Sequence, residues 1–241
     1  MAEKHIVTVD GSDMEVWVAR PEGTGPFPAL ILAIHAPANV GIENDPFTLD
    51  LLDRYAAQGY VCAAPFIFHW WPKEEAMDTK RAGLRDDRLV MDMNTAFALL
   101  DGMDSVDGDR IGILGHCMGG RIAWLAACHN DRFKALVVLY GGRIKAGSGE
   151  GAPAPIDLAT NIPCPVLGLF GNDDQNPSPA DVDDYEAALK AAGIDYTFHR
   201  YDGTNHAFQD FSRPERYNAT SSDDAWKKIR VFLAGHLTPG G

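Results

Sequence analysis

The chain has 241 residues, 46% of them hydrophobic and 23% charged. That length suits one large domain or two small ones and is enough to bury a substantial core. A formal charge of −13 argues against nucleic acid and anionic membrane surfaces as partners, since both call for a basic patch; a local cationic pocket for an anionic substrate stays compatible with it.

No apolar stretch approaches the ~18 residues of a membrane span. The N-terminal "MAEKHIVTVDG" passes directly into a strand-like alternation and lacks the apolar block of a signal peptide. Cys62, Cys117, Cys128 and Cys164 form no C-x-x-C pair and have no His at metal-ligand spacing. The simple reading is a cytoplasmic protein with reduced thiols and no metal.

In chain order, residues 4–9 and 13–19 alternate apolar and polar around a turn-like "DGSD", which predicts an antiparallel hairpin. "PALILAIHA" (28–36) is a continuous apolar run, as in a strand buried on both faces. A helix follows over 46–58, with Asp45 as N-cap and Pro46 at the first helical position. "YVCAAP" (60–65) is another buried strand, followed by the aromatic loop "FIFHWWPKEEAM". The pattern then predicts a helix over about 82–103, a strand at 110–115, a helix at 118–129 and a strand at 134–141. Beyond the loop-like "GGRIKAGSGEGAPAP" come a strand at 164–171, a helix at 179–192, a strand at 196–201 and a last helix at 222–236. No fixed-period repeat or low-complexity linker divides the chain, so residues 1–241 are expected to form one α/β domain. A hairpin followed by repeated strand–helix units predicts a mostly parallel sheet with helices on both faces. Ligands of such sheets bind beyond the carboxyl ends of the strands.

One of those ends carries "GILGHCMGG", residues 112–120. Gly115-His116-Cys117-Met118-Gly119 is G-x-C-x-G between a predicted strand and a predicted helix, the cysteine form of the nucleophile turn. The strained turn tolerates no side chain two residues before or after the nucleophile. The helix starting there aims free N–H groups and a positive dipole end at the thiol, which favours thiolate. Taken alone, the motif is also compatible with a small core cysteine.

An acid and then a histidine should follow the nucleophile. "GNDDQNP" after the strand at 164–171 offers Asp173, preferred over Asp174 beside it, and "DGTNHAF" after the strand at 196–201 offers His206. The histidine would relay the thiol proton and the aspartate would orient the imidazole. An oxyanion hole would combine the N–H of Met118 with that of Ala36, since Pro37 has none to give. Trp70 and Trp71 in the aromatic loop are candidates for lining an apolar pocket. Cys62, Cys128 and Cys164 are read as core.

"GILGHCMGGRIAWLAA", "GLFGNDDQNPSP", "YDGTNHAFQDFSRPERYN" and "AWKKIRVFL" together resemble the dienelactone hydrolase (carboxymethylenebutenolidase) family of α/β-hydrolases, over nearly the whole chain. The resemblance implies the triad Cys117, Asp173 and His206, and hydrolysis of an enol lactone or small activated ester through an acyl-thiol intermediate. It implies no cofactor. Two positions depart from the family pattern. Its better-known members carry a glutamate after the third strand, where this chain has His35, which either takes over part of that role or is a satisfied loop histidine; Glu43 lies nearby but off register. They also grip a substrate carboxylate with arginines, one of them four residues after the catalytic histidine, where this chain has Asp210. Arg81, Arg85, Arg213 and Arg216 are the remaining candidates for binding an anion. The expected partner is thus a small-molecule ester or lactone, with a monomer or dimer both open. The rival readings are a thioesterase or acyltransferase on the same triad and a non-catalytic small-molecule-binding module.

Overall fold

The computed structural model describes residues 2–237. Eight strands, β1 (Glu3–Val9), β2 (Ser12–Ala19), β3 (Phe27–Ala33), β4 (Val61–Pro65), β5 (Val106–His116), β6 (Leu136–Leu139), β7 (Val166–Gly171) and β8 (Tyr196–Tyr201), form one sheet in the order β1-β2-β4-β3-β5-β6-β7-β8. The hairpin β1–β2 is antiparallel, as is β2 against β4, and the remaining neighbours run parallel. The continuous apolar runs explain the arrangement. Every residue of β4, β6 and β7 is buried, which requires cover on both faces.

Helices α1 (Pro46–Ala57), α3 (Asp86–Asp101), α4 (Met118–Ala127) and α6 (Ala219–Leu237) supply much of that cover. The first and last pack together through the rings of Tyr55 and Trp226, 5.3 Å apart, and α3 packs on α4. Helix α1 starts where its sequence signals place it: the Asp45 carboxylate accepts from Thr48 N at 3.0 Å and Pro46 opens the first turn. Helix α5 (Pro179–Ala192) starts on a reciprocal Ser178–Asp181 capping box and ends on Gly193 in the left-handed region.

The helix expected over about 82–103 is α3, which starts four residues later, and an unexpected short helix precedes it. A short α2 (Met77–Gly83) is followed by extended backbone at Leu84 and Arg85, and α3 begins at Asp86. The break has two causes. Gly83 packs so closely under Trp71 that a Cβ there would lie 2.7 Å from the ring. The buried Asp86 carboxylate is held by both terminal nitrogens of Arg121, at 2.7 and 3.0 Å, and by the Ser148 amide at 2.9 Å. Three short 3₁₀ turns, at Ala36–Val40, Ile42–Asn44 and Pro155–Asn161, lie where the pattern predicts no regular structure. No helix among the described residues is long and apolar enough to cross a membrane.

The order of the strands decides where a site can form. From β3 the chain moves outward to β4 on one side, and it then resumes at β5 on the other side. Connections leaving β3 and β5 therefore diverge at their carboxyl ends and open a crevice there. Ala36 follows β3, and Cys117 follows β5.

Candidate active site

Cys117 is the single residue between β5 and α4, with φ 57° and ψ −122°. A side chain in this region is strained, and the surroundings over-determine the conformation. The Cys117 amide continues the sheet ladder to Leu139 O at 3.0 Å, while its carbonyl accepts from Gly120 N at 3.0 Å. The flanking glycines are required by contact. A Cβ on Gly115 would lie 2.0 Å from Gly119 O, and one on Gly119 would lie 2.0 Å from Ala33 O. Thus G-x-C-x-G is what allows the turn to pack between β3 and its own helix.

His206 lies in the loop after β8 and lines the same cavity as Cys117. Its Nδ1 is 2.7 Å from Asp174 Oδ2. The carboxylate on the imidazole is therefore that of Asp174, and the expectation of Asp173 is corrected. The ladder between β7 and β8 runs past Gly171, with Asn172 N bonded to Tyr201 O and Asp173 N to Thr204 O. The strand itself ends at Gly171, and the turn that follows, closed by Asp174 N on Gly171 O at 3.3 Å, leaves Asp173 exposed and the next residue buried. Asp174 is buried, and its Oδ1 accepts from Asn176 N at 2.8 Å, which fixes the carboxylate.

Burial pushes the Cys117 thiol up. The hydrogen bond and charge of His206, with the amides of Met118 and Ala36, more than offset it, and the net direction is down. Burial opposes charge on the His206 ring, but Asp174 and the Cys117 sulfur raise it to about 9. Both directions favour a thiolate–imidazolium pair. The other thiols behave oppositely: burial raises Cys62 far above the ordinary range and lifts Cys128 and Cys164 to about 12.

The two expected oxyanion donors border the same cavity as Cys117, Met118 at the start of α4 and Ala36 in the loop after β3, and both amides lower the thiol. The cavity has a volume of about 840 Å³. Of the expected substrate contacts, His35 and Arg81 line it, as do Arg213 and Arg216. Arg85, Trp70 and Trp71 do not. Arg85 is exposed and forks onto Asp87 at 2.9 and 3.0 Å. Trp70 directs its Nε1 to Asp92 at 3.4 Å under the Arg88 guanidinium, 4.6 Å from the ring centre, and Trp71 covers Gly83. The aromatic loop therefore packs on α2 and α3. His35 is buried, with Nε2 2.7 Å from Asp45 Oδ2. Among the described residues no group of three or more His, Cys, Asp or Glu is placed to hold a metal ion.

Two neighbours of Cys117 escaped the sequence reading. Tyr140, with φ 38°, lies in the cavity wall with its ring 5.1 Å from that of His206. Its sequence signal was its place at the end of β6, one of the strand ends the fold makes significant. His116 is fully enclosed, with Nε2 2.9 Å from Gln209 Oε1, and burial pushes it from 6.5 to about 3. It is neutral at working pH. An unfolded chain binds this proton near 6.5, so the group's contribution to stability is complete above that pH and falls as pH drops toward 3. The loss reaches about 3 kcal/mol at pH 4.5. Urea unfolding at pH 7 and 4.5 checks this: the drop in the parent protein should exceed that in His116→Gln by about this amount.

The sheet order, the turn after β5 and the helices covering the sheet define an α/β-hydrolase. The dienelactone hydrolase family model matches residues 14–237, and the chain belongs to that family of carboxylic ester hydrolases. A Methylorubrum extorquens protein named "Putative carboxymethylenebutenolidase" is 32% identical over 222 residues, spanning 89% of this chain and 74% of its own length. An Escherichia coli protein of the same name is 31% identical over 227 residues, 91% of this chain and 81% of its own. The crystal structure of a "Putative Dienelactone Hydrolase" from Klebsiella pneumoniae matches with a TM-score of 0.87 at 27% identity, over 98% of this chain and 99% of that one.

Proposed function

We propose that this protein hydrolyses a lactone or small activated ester through an acyl-thiol intermediate on Cys117. The observation that carries the reading is that Cys117, strained at the start of α4, shares one cavity with Ala36, Met118 and a His206 ring bonded to Asp174. In the resting pair the sulfur is anionic and His206 holds the proton. The thiolate attacks the acyl carbon, forming the S–C bond, and the carbonyl π pair moves onto oxygen, where the two amides stabilise it. Collapse of this adduct breaks the bond to the leaving oxygen, which takes the His206 proton. The neutral imidazole then accepts a proton from water as the water attacks the thioester. The second adduct expels the thiolate and restores the ion pair. Asp174 holds the ring in register throughout and offsets its charge.

Thiolate suits activated acyl groups. It is a soft nucleophile and a good leaving group, so an enol lactone or aryl ester yields more readily than an amide. In this reading Arg81, which lines the cavity, contacts the substrate. The small-molecule character of the substrate, a cytoplasmic setting and a single functional domain belong to the same reading.

A panel of dienelactone, p-nitrophenyl esters and acyl thioesters, assayed with water or an added alcohol or thiol as acceptor, separates hydrolase from thioesterase and acyltransferase. Iodoacetamide supplies the independent check. Inactivation should remain fast at pH 6–7, below the range where an ordinary thiol ionises, and the label should fall on Cys117. Full turnover by quantitatively alkylated protein would sink the mechanism.

A further inference from the structure

We infer that His35 is a positioning residue for the oxyanion hole, aiming the Ala36 amide by anchoring the loop after β3 to the buried carboxylate of Asp45. The inference rests on the Cys117 reading above and adds a residue to it. His35 immediately precedes Ala36, so the peptide plane carrying the donor N–H begins at the His35 carbonyl carbon. Backbone bonding alone holds this segment lightly: His35 O accepts from Ala38 N at 3.2 Å, and Gly41 N returns to Ala38 O at 3.1 Å.

Further along, Asn39 Nδ2 donates to Ala36 O at 3.0 Å and the buried Lys80 donates to Asn39 O at 2.8 Å, but the His35 side chain is the anchor next to the donor peptide itself. Its Nε2 lies 2.7 Å from Asp45 Oδ2, and that same oxygen caps α1 by accepting from Thr48 N at 3.0 Å. The loop is thereby tied to the first turn of a helix packed on the sheet. The His35 ring also leans on Phe47, 5.2 Å away, and Phe47 meets the ring of His116, the residue before the nucleophile, at 5.2 Å. One imidazole thus couples the two strand ends that deliver the two halves of the hole.

On its other side, His35 Nδ1 faces Asp210 Oδ2 at 3.9 Å. That oxygen is buried and makes no hydrogen bond, although Arg213 Nε stands 3.5 Å away. Asp210 belongs to the segment that follows His206, so His35 stands between the oxyanion loop and the loop bearing the general acid–base. A donor displaced by a few tenths of an ångström still binds substrate but serves the adduct poorly, because the hole acts on charge that develops only there.

Two probes of the same sulfur separate this role from a general structural one. Iodoacetamide needs a thiolate and no oxyanion. Butyraldehyde adds to the thiolate to give a hemithioacetal, whose former carbonyl oxygen occupies the hole. In His35→Ala, kcat for p-nitrophenyl butyrate should fall about 10- to 100-fold, less than the roughly 10²–10³ that removing a donor costs. KM should stay within about threefold, and the butyraldehyde inhibition constant should rise in parallel with the loss in kcat. The alkylation rate should stay within about twofold, and His35→Gln, which keeps a donor toward Asp45, should recover part of the loss. Asp45→Ser, whose hydroxyl can cap α1 but is too short to reach the His35 ring, should show the same pattern and decides the matter if His35→Ala does not fold. Unchanged aldehyde affinity in a folded variant, or alkylation falling in step with kcat, would overturn the inference. Loss of the Cys117 mechanism would register separately, as turnover in the alkylated parent protein.

Discussion

Cys117→Ala is expected to lower kcat on p-nitrophenyl butyrate by on the order of 10⁴-fold or more, leaving turnover at the level of the hole and binding alone. The size of the effect follows from what is removed. Ala36, Met118 and His206 border the cavity that Cys117 faces; without the thiol these groups can orient a carbonyl but form no acyl intermediate. Alanine meets the same backbone strain as cysteine at φ 57°, so the variant should unfold at nearly the parent temperature. Cys117→Ser is expected to retain little or nothing. A serine hydroxyl ionises far above a thiol and is not stored as an anion beside His206. It would have to lose its proton during attack, and the sulfur charge that helps hold the proton on His206 in the parent protein is gone. A single-turnover assay with quenched-flow mass analysis should find a covalent acyl adduct in the parent protein and none in Cys117→Ala. Parent-like turnover in the alanine variant would end the thiol mechanism.

What was legible in the sequence was whatever depends on contacts close along the chain. The Cys117 turn announced itself because Gly115 and Gly119 must both lack a Cβ for the strand-to-helix corner to close. Helix α5 could be bounded to the residue because its cap, its proline and its closing glycine are all local. The failures involve partners distant in sequence. Nothing around Gly83 revealed that Arg121, thirty-five residues beyond Asp86, would demand that carboxylate and delay the start of a helix. Trp70 and Trp71 looked like pocket walls because large rings in a strand-end loop often are. Their burial is instead against α2 and α3, with Asp92 taking the Trp70 indole N–H. His35 read equally as a substitute for a family glutamate and as a satisfied loop histidine; its bond to Asp45 joins the end of β3 to the cap of α1.

The choice between adjacent aspartates is the most exacting of these cases, and it gives the second large prediction. Asp174→Asn should reduce kcat by about 10³–10⁴-fold, whereas Asp173→Asn should leave it within about twofold. The chain turns directly after Gly171, so a one-residue error within that turn exchanges a buried carboxylate for a solvated one. Asp174 accepts from the His206 ring at 2.7 Å; an amide there presents either a weaker acceptor or a donor, which selects the wrong tautomer. It also removes one of the charges that hold His206 up near 9, so the alkaline limb of kcat/KM should move to lower pH. The sign follows from the pair: the imidazolium form is required to protonate the leaving oxygen, and without the carboxylate it persists over a narrower range. The alkylation profile should shift with it, because a ring that surrenders its proton sooner holds the thiolate less firmly. If Asp173→Asn proves the damaging change and Asp174→Asn the silent one, the imidazole is oriented by a different carboxylate from the one bonded to it here.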